Sequence, residues 1–200
     1  MASASPVITD LPLFPLSSVL FPGAQLPLRI FEPRYLGMVR DCARDDAPFG
    51  VCLILEGDEV GEPAIPAAVG TLAKITDFDA LPDGLLGIHA SGGERFRVIA
   101  THVRDDGLIH AQVRCWAPEP QLPVPPEFGL LPTILARLID QFPVYDGVSQ
   151  TCYDDASWVG FRLAQWLPLA LDERQHMLEM TDPMQRLACL LDVMPRFQRD

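Results

Sequence analysis

Five prolines fall within nine residues, at Pro118, Pro120, Pro123, Pro125 and Pro126. Each fixes its own φ and removes a backbone donor, so no helix or ladder persists through WAPEPQLPVPPEF, and the stretch reads as a stiff extended connector. Sequence character changes across it: the residues before are strand-like and those after are helical. That segregation predicts an α+β chain. With 200 residues, 48% of them hydrophobic, the chain can bury roughly 70% of its unfolded surface without metal or disulfide staples.

Upstream of the connector, FRVIATHVR and LIHAQVRCW alternate in polarity and are joined by Asp105-Asp106-Gly107, which predicts a hairpin with a tight turn. Ile109, Ala111, Val113 and Cys115 would face a core. Strand alternation then puts His110, Gln112 and Arg114 on the wet face, with His102 near them. FGVCLIL, VGTLAKITDF and LLGIHAS are further strands bounded by Gly, Pro or Asp clusters, at a spacing that suggests a barrel or sandwich. One helix interrupts them, with Pro33 at its first position and Tyr35, Met38, Val39 and Cys42 as its apolar stripe.

Downstream, Leu131, Ile134, Leu135, Leu138 and Phe142 recur at helical spacing, and Trp158, Phe161, Leu163 and Trp166 continue the signal up to Pro168. Asp172 and Asp182 each stand three residues before a Gln, which predicts two capping boxes. In the last helix Met184, Leu187, Leu191 and Met194 line one face, while Arg186, Asp192 and Arg196 are expected to stay hydrated.

Charge and motif content exclude several functions. Residues 1–118 carry 15 acids against 9 bases and residues 119–200 carry 12 against 6, so each part is −6 and the whole is −12. Polyphosphate partners are therefore disfavoured. The uncharged run Leu11–Leu28 is interrupted by Pro12, Pro15, Pro22 and Pro27 and follows an acidic leader, which argues against a membrane span and an export signal and for a cytoplasmic chain. Five cysteines without a C-x-x-C pair read as reduced core thiols. Four histidines without H-x-x-x-H spacing give no zinc signature, so no metal and no cofactor are expected. Lys74 is the only lysine, which removes the P-loop, and no G-x-S-x-G elbow is present. The acidic loop of Glu56, Asp58, Glu59 and Glu62 lacks EF-hand spacing and reads as hydrated.

Specific strings carry more. Leu11-Pro-Leu-Phe-Pro-Leu16, Val19-Leu-Phe-Pro-Gly23 and Pro27-Leu-Arg-Ile-Phe-Glu-Pro-Arg-Tyr35 are followed by Val69-Gly-Thr-Leu-Ala-Lys-Ile75, Gly93-Glu-Arg-Phe-Arg-Val98 and, near the end, Asp182-Pro-Met-Gln-Arg-Leu187. In this order they resemble the substrate-recognition domain at the N-terminus of ATP-dependent Lon proteases, over nearly all of residues 10–195. The resemblance implies a PUA-like, six-stranded, barrel-like β-domain with one helix, followed by an α-helical bundle. The expected layout is a flexible leader (1–9), the β-domain (10–117), the connector (118–126) and the bundle (127–200).

Because the ATPase and protease domains of that family do not follow, the resemblance implies a stand-alone, non-catalytic module. Its expected partner is an unfolded or extended polypeptide, or a folded protein. An RNA-binding PUA-like protein is the alternative, motivated by fold analogy alone. Phe21, Phe31, Arg34, Tyr35, Arg95 and Phe96, from the family strings, and Trp116, at the connector's edge, are the candidate binding residues. Core and turn packing is the competing reading for the aromatic ones, and Arg34 and Arg95 could instead pair with Glu32 and Glu94.

Overall fold

Gly107 takes a left-handed φ of 82° at the turn between two long strands, its amide donating to Arg104 O at 2.9 Å. The hairpin read from Asp106-Gly107 is thus present, as β5 (Leu86–Val103) and β6 (Ile109–Cys115). This computed structural model describes residues 6–145 and 147–197. The remaining strands are β1 (Val7–Leu16), β2 (Gln25–Ile30), β3 (Phe49–Glu56) and β4 (Ile65–Ala80). The chain divides into two compact units, Met1–Pro118 and Glu119–Asp200.

The six strands form one sheet in the order β2-β5-β4-β3-β1-β6, and β5 also pairs with β6. That second pairing curls the sheet into a barrel-like form. It is possible because β5 is a single 18-residue strand where the sequence predicted two: LLGIHAS and FRVIATHVR run on through Gly92-Gly93. A Cβ at Gly92 would run into Phe21 O, so the glycine lets the loop before β2 lie directly on β5.

β1 carries Pro12 and Pro15, neither of which can donate to a strand ladder. The strand tolerates them because it changes partner: residues up to Pro12 pair with β6, and Leu13–Leu16 pair in parallel with β3. Each stretch keeps one open edge, where a missing donor is affordable. Val7–Thr9, expected in the leader, already belong to β1; residues 1–5 lie outside those described.

The core joins Leu11, Leu13, Cys52, Phe96, Ala111, Val113 and Cys115. The alternation read for β6 holds for Ala111, Val113 and Cys115 but fails at His110, which is 4% exposed. A bulge in β1 between Ile8 and Leu11 turns Asp10 onto the His110 ring, whose Nδ1 lies 2.7 Å from Asp10 Oδ1, and so covers a position that strict alternation leaves wet.

The helix α1 (Pro33–Asp45) starts on Pro33 and buries Tyr35, Met38, Val39 and Cys42, as its periodicity predicts. In the second unit, α2 (Leu130–Ile139), α3 (Gln150–Tyr153), α4 (Ala156–Trp166), α5 (Leu171–Glu179) and α6 (Pro183–Val193) bury Leu131, Leu135, Val159, Leu163, Leu187 and Leu190. Asp182 caps α6, accepting from Met184 N at 2.8 Å. Asp172 does not cap α5. The helix begins two residues earlier, and Glu173 reaches back to accept from Ala170 N at 2.9 Å.

Arg186, expected on the hydrated face, is fully buried. Its guanidinium donates to Glu119 Oε1 and Oε2 at 2.6 and 2.9 Å and to Met177 O at 3.0 Å, and stacks 3.8 Å from the Phe161 ring centroid. A bidentate carboxylate supplied from far upstream overrides the helical pattern. No helix of the described residues is long and apolar enough to cross a membrane.

Candidate functional site

Most residues of the family strings are consumed in holding the β-unit together. Gly70 lies under Phe96: a Cβ there would sit 2.6 Å from Cys52 Sγ and 2.7 Å from Phe96 Cζ. The V-G-T and G-x-R-F strings therefore interlock, a small residue in one making room for the ring of the other. Thr71 Oγ1 donates to Leu20 O at 2.6 Å, which ties the same strand to the Val19–Gly23 loop. Phe21 is buried above Gly92.

Arg34 ion-pairs with Glu32 at 3.0 Å and donates to Gly107 O at 3.2 Å. Of its two sequence readings, the internal pair is the one formed. Arg95 is buried with its guanidinium carbon 4.8 Å from the Trp116 ring centroid, and Trp116 N donates to Arg95 O at 2.8 Å. Arg95 and Trp116 thus pack on each other, and Trp116 is only partly exposed.

Phe31 differs. It directly follows β2, precedes the first turn of α1 and is 48% exposed. It borders a cavity of about 220 Å3 lined by Phe14, Leu16, Pro27, Ile30, Tyr35 and Val60. Phe14 and Tyr35 stack at 4.1 Å between centroids and are buried beneath it. Burial pushes the Tyr35 hydroxyl above its ordinary pKa, so it stays neutral. Ser17 N donates to Glu59 at 2.6 Å, fixing the loop that carries Val60, which is 55% exposed on the cavity's other side.

The groove runs beside β2, and among the described residues β2 pairs with β5 alone. A strand edge with unpaired amides and carbonyls beside an apolar groove can take an extended chain as an added strand, with a side chain seated in the groove. Of the seven candidate residues, Phe31 and Tyr35 line this groove; Phe21, Arg34, Arg95, Phe96 and Trp116 do not. Val60 was missed. Its signal was a lone branched apolar residue amid the acidic Glu56–Glu62 loop, where nothing local requires it.

The helical unit has a larger cavity, about 650 Å3, lined by Thr133, Arg137, Asp140, Tyr145 and Tyr153 among others. None of the family strings reaches it, and it offers neither a strand edge nor an exposed aromatic anchor.

Burial works against thiolate chemistry at Cys42 and Cys52. All five thiols are free. Burial pushes Cys42 up to about 11 and Cys52 up to about 12, so neither supplies thiolate near neutrality.

Comparison with known proteins agrees with this architecture. The chain is similar to a Lon N-terminal domain protein of Xanthomonas campestris, at 46% identity and TM-score 0.79 over 92% of this chain and 98% of that one. The N-terminal domain of the Mycobacterium avium complex Lon protease shares the fold, with TM-score 0.65 at 16% identity, over 92% and 97% of the two chains. Lon protease of Cytophaga hutchinsonii is 26% identical over 93% of this chain and 24% of its own length. Cereblon of Danio rerio is 32% identical over 59% and 28%. The chain thus spans about a quarter of the length of the curated relatives it matches. The family described as the ATP-dependent protease La (LON) substrate-binding domain matches residues 10–196, and with the strings of both units inside that span, the chain belongs to this family.

Proposed function

We propose that the chain is a non-catalytic recognition module that takes up extended polypeptide as a strand added to β2, anchored by an apolar side chain in the groove between Phe31 and Val60. The observation that carries this reading is the exposure of Phe31 at the head of an apolar groove beside an unpaired strand edge. The charged rim is mixed, with Arg29 beside Glu32 and Glu59, and Glu32 is paired with Arg34 and Arg29 with Asp83, so the apolar anchor and not flanking charge sets the preference. Membership of a substrate-binding family supports a protein ligand. The five free thiols suit the reducing cytoplasm as the setting.

The test is binding of a fluorescent, permanently unfolded polypeptide, followed by anisotropy, for the wild type and for Phe31→Asp and Val60→Asp. Both side chains are exposed, so both variants should fold. Saturable binding by the wild type is expected, with each variant weakened roughly tenfold or more, as for a central anchor. The polypeptide should remain uncleaved throughout. Equal binding by wild type and variants would remove the groove from the mechanism; no binding at all, against a peptide array as well, would remove the recognition role.

A further inference from the structure

Three side chains from three strands converge at the opposite end of β1 from the groove. Asp10 sits in the β1 bulge. His102 of β5 and His110 of β6 are direct cross-strand partners, which places both rings on one face of the hairpin, 5.6 Å apart between centroids. Asp10 Oδ1 is 2.7 Å from His110 Nδ1 and 3.7 Å from His102 Nε2. One donor atom from each residue lies within 4.8 Å of the other two.

Two imidazole nitrogens and one carboxylate oxygen are a donor set for a borderline divalent transition ion and not for Mg2+ or Ca2+, which take oxygen. Around Zn2+, bonds of about 2.0–2.2 Å put ligand atoms roughly 3–3.5 Å from one another. The separations found here bracket that value. Reaching it needs Asp10 and His110 to part slightly and the exposed His102 ring to swing in. Arg104 Nη2 holds the other carboxylate oxygen, Oδ2, at 2.8 Å, leaving Oδ1 turned to the two rings, as an outer-shell partner orients a ligating carboxylate.

The His110 ring is buried and meets Asp10 through Nδ1, while its Nε2 makes no hydrogen bond. Asp10 and His110 also border a cavity of about 460 Å3 in the same unit, whose lining carries Asp41, Asp45 and Asp106 together with Arg40, Arg44 and Arg104.

We propose that Asp10, His102 and His110 form a binding site for Zn2+ or a related divalent transition ion, with water completing the coordination. The ion pins the bulged start of β1 to the β5–β6 hairpin. The two histidines meet across a hairpin and Asp10 comes from a distant segment, which is why histidine spacing gave no zinc signature.

The full-length chain, stripped with chelator and kept under a non-thiol reductant, is titrated with Zn2+ by calorimetry and its thermal midpoint is followed. One ion per chain and a raised midpoint are expected, since binding to the folded state alone stabilises it. His102→Ala and Asp10→Asn should each weaken binding by roughly tenfold or more and abolish the rise. His89→Ala, which removes the separate His89–Asp79 pair at 2.7 Å, should change neither. Cobalt(II) absorption should lack a thiolate charge-transfer band. A wild type whose midpoint ignores Zn2+, a His102→Ala chain that titrates like wild type, or a thiolate band placing the ion on Cys152 or Cys189 would each overturn the site. His102 is exposed, so its variant decides the matter even if Asp10→Asn fails to fold.

Discussion

At Gly70 the missing side chain is the functional one. Val51 O, Cys52 Sγ and the Phe96 ring close around the position a Cβ would take, and none of them is the flexible end of a long chain. Gly70→Ala should therefore destabilise the β-unit by about 1–3 kcal/mol through overpacking, read as a lower urea midpoint with unchanged slope. Cys42 and Cys52 allow a prediction with a definite sign. Their thiols move from 9.0 up to about 11 and about 12 on burial. The unfolded chain therefore releases these protons first, and the stability they contribute is complete below pH 9 and lost as pH rises through 11 and 12. Urea midpoints measured from pH 8 to pH 11 should fall in the wild type, and fall less in Cys42→Ala. A profile identical in the two would show that Cys42 titrates as freely in the folded chain as in the unfolded one.

Elements were legible where a local device and the tertiary setting agree. The β5–β6 turn could be read from Asp106-Gly107, and α1 from Pro33 and its stripe, because these signals act within a few residues. β1 and Arg186 were not legible for a shared reason: each depends on a distant segment, the partner switch in one case and Glu119 in the other. Phe31 and Tyr35 could be found from the family strings, whereas the groove's far wall at Val60 and the open edge of β2 exist only once the sheet is assembled. The Arg186–Glu119 pair, 0% and 7% exposed, joins α6 to the start of the connector, and Glu119 also accepts from Ser157 Oγ of α4. Glu119→Ala should cost about 3–5 kcal/mol by stranding a buried guanidinium, seen in thermal unfolding of the helical unit, and a loss under 1 kcal/mol would mean that water replaces the carboxylate. On β2, strand addition makes a backbone-specific prediction. A ligand peptide N-methylated at alternate residues should lose binding in one of its two methylation frames and keep it in the other; equal effects in both frames would point to side-chain docking alone.

For the whole molecule the governing quantity is charge. Both units are −6, and many of the bases are already engaged by carboxylates: Arg29 by Asp83, Arg40 and Arg44 by Asp41 and Asp45, Lys74 by Asp46, Arg104 by Asp10, Arg196 by Glu173. Binding a phosphate backbone would mean breaking such pairs as well as overcoming the net field, while the counterion release that drives such binding needs uncommitted cations. RNA of mixed sequence should show no saturable binding at about 50 mM salt, where polyelectrolyte association is strongest. Salt then separates the two ligand classes in one experiment. A contact made of strand hydrogen bonds and the Phe31 groove is short-range and should change little between about 50 and 200 mM salt, whereas a phosphate contact would weaken by roughly 10³–10⁵ over that range. An unfolded polypeptide whose affinity collapsed in this way would be held by surface charge, and the recognition surface would have to be sought among the charged side chains instead of along β2.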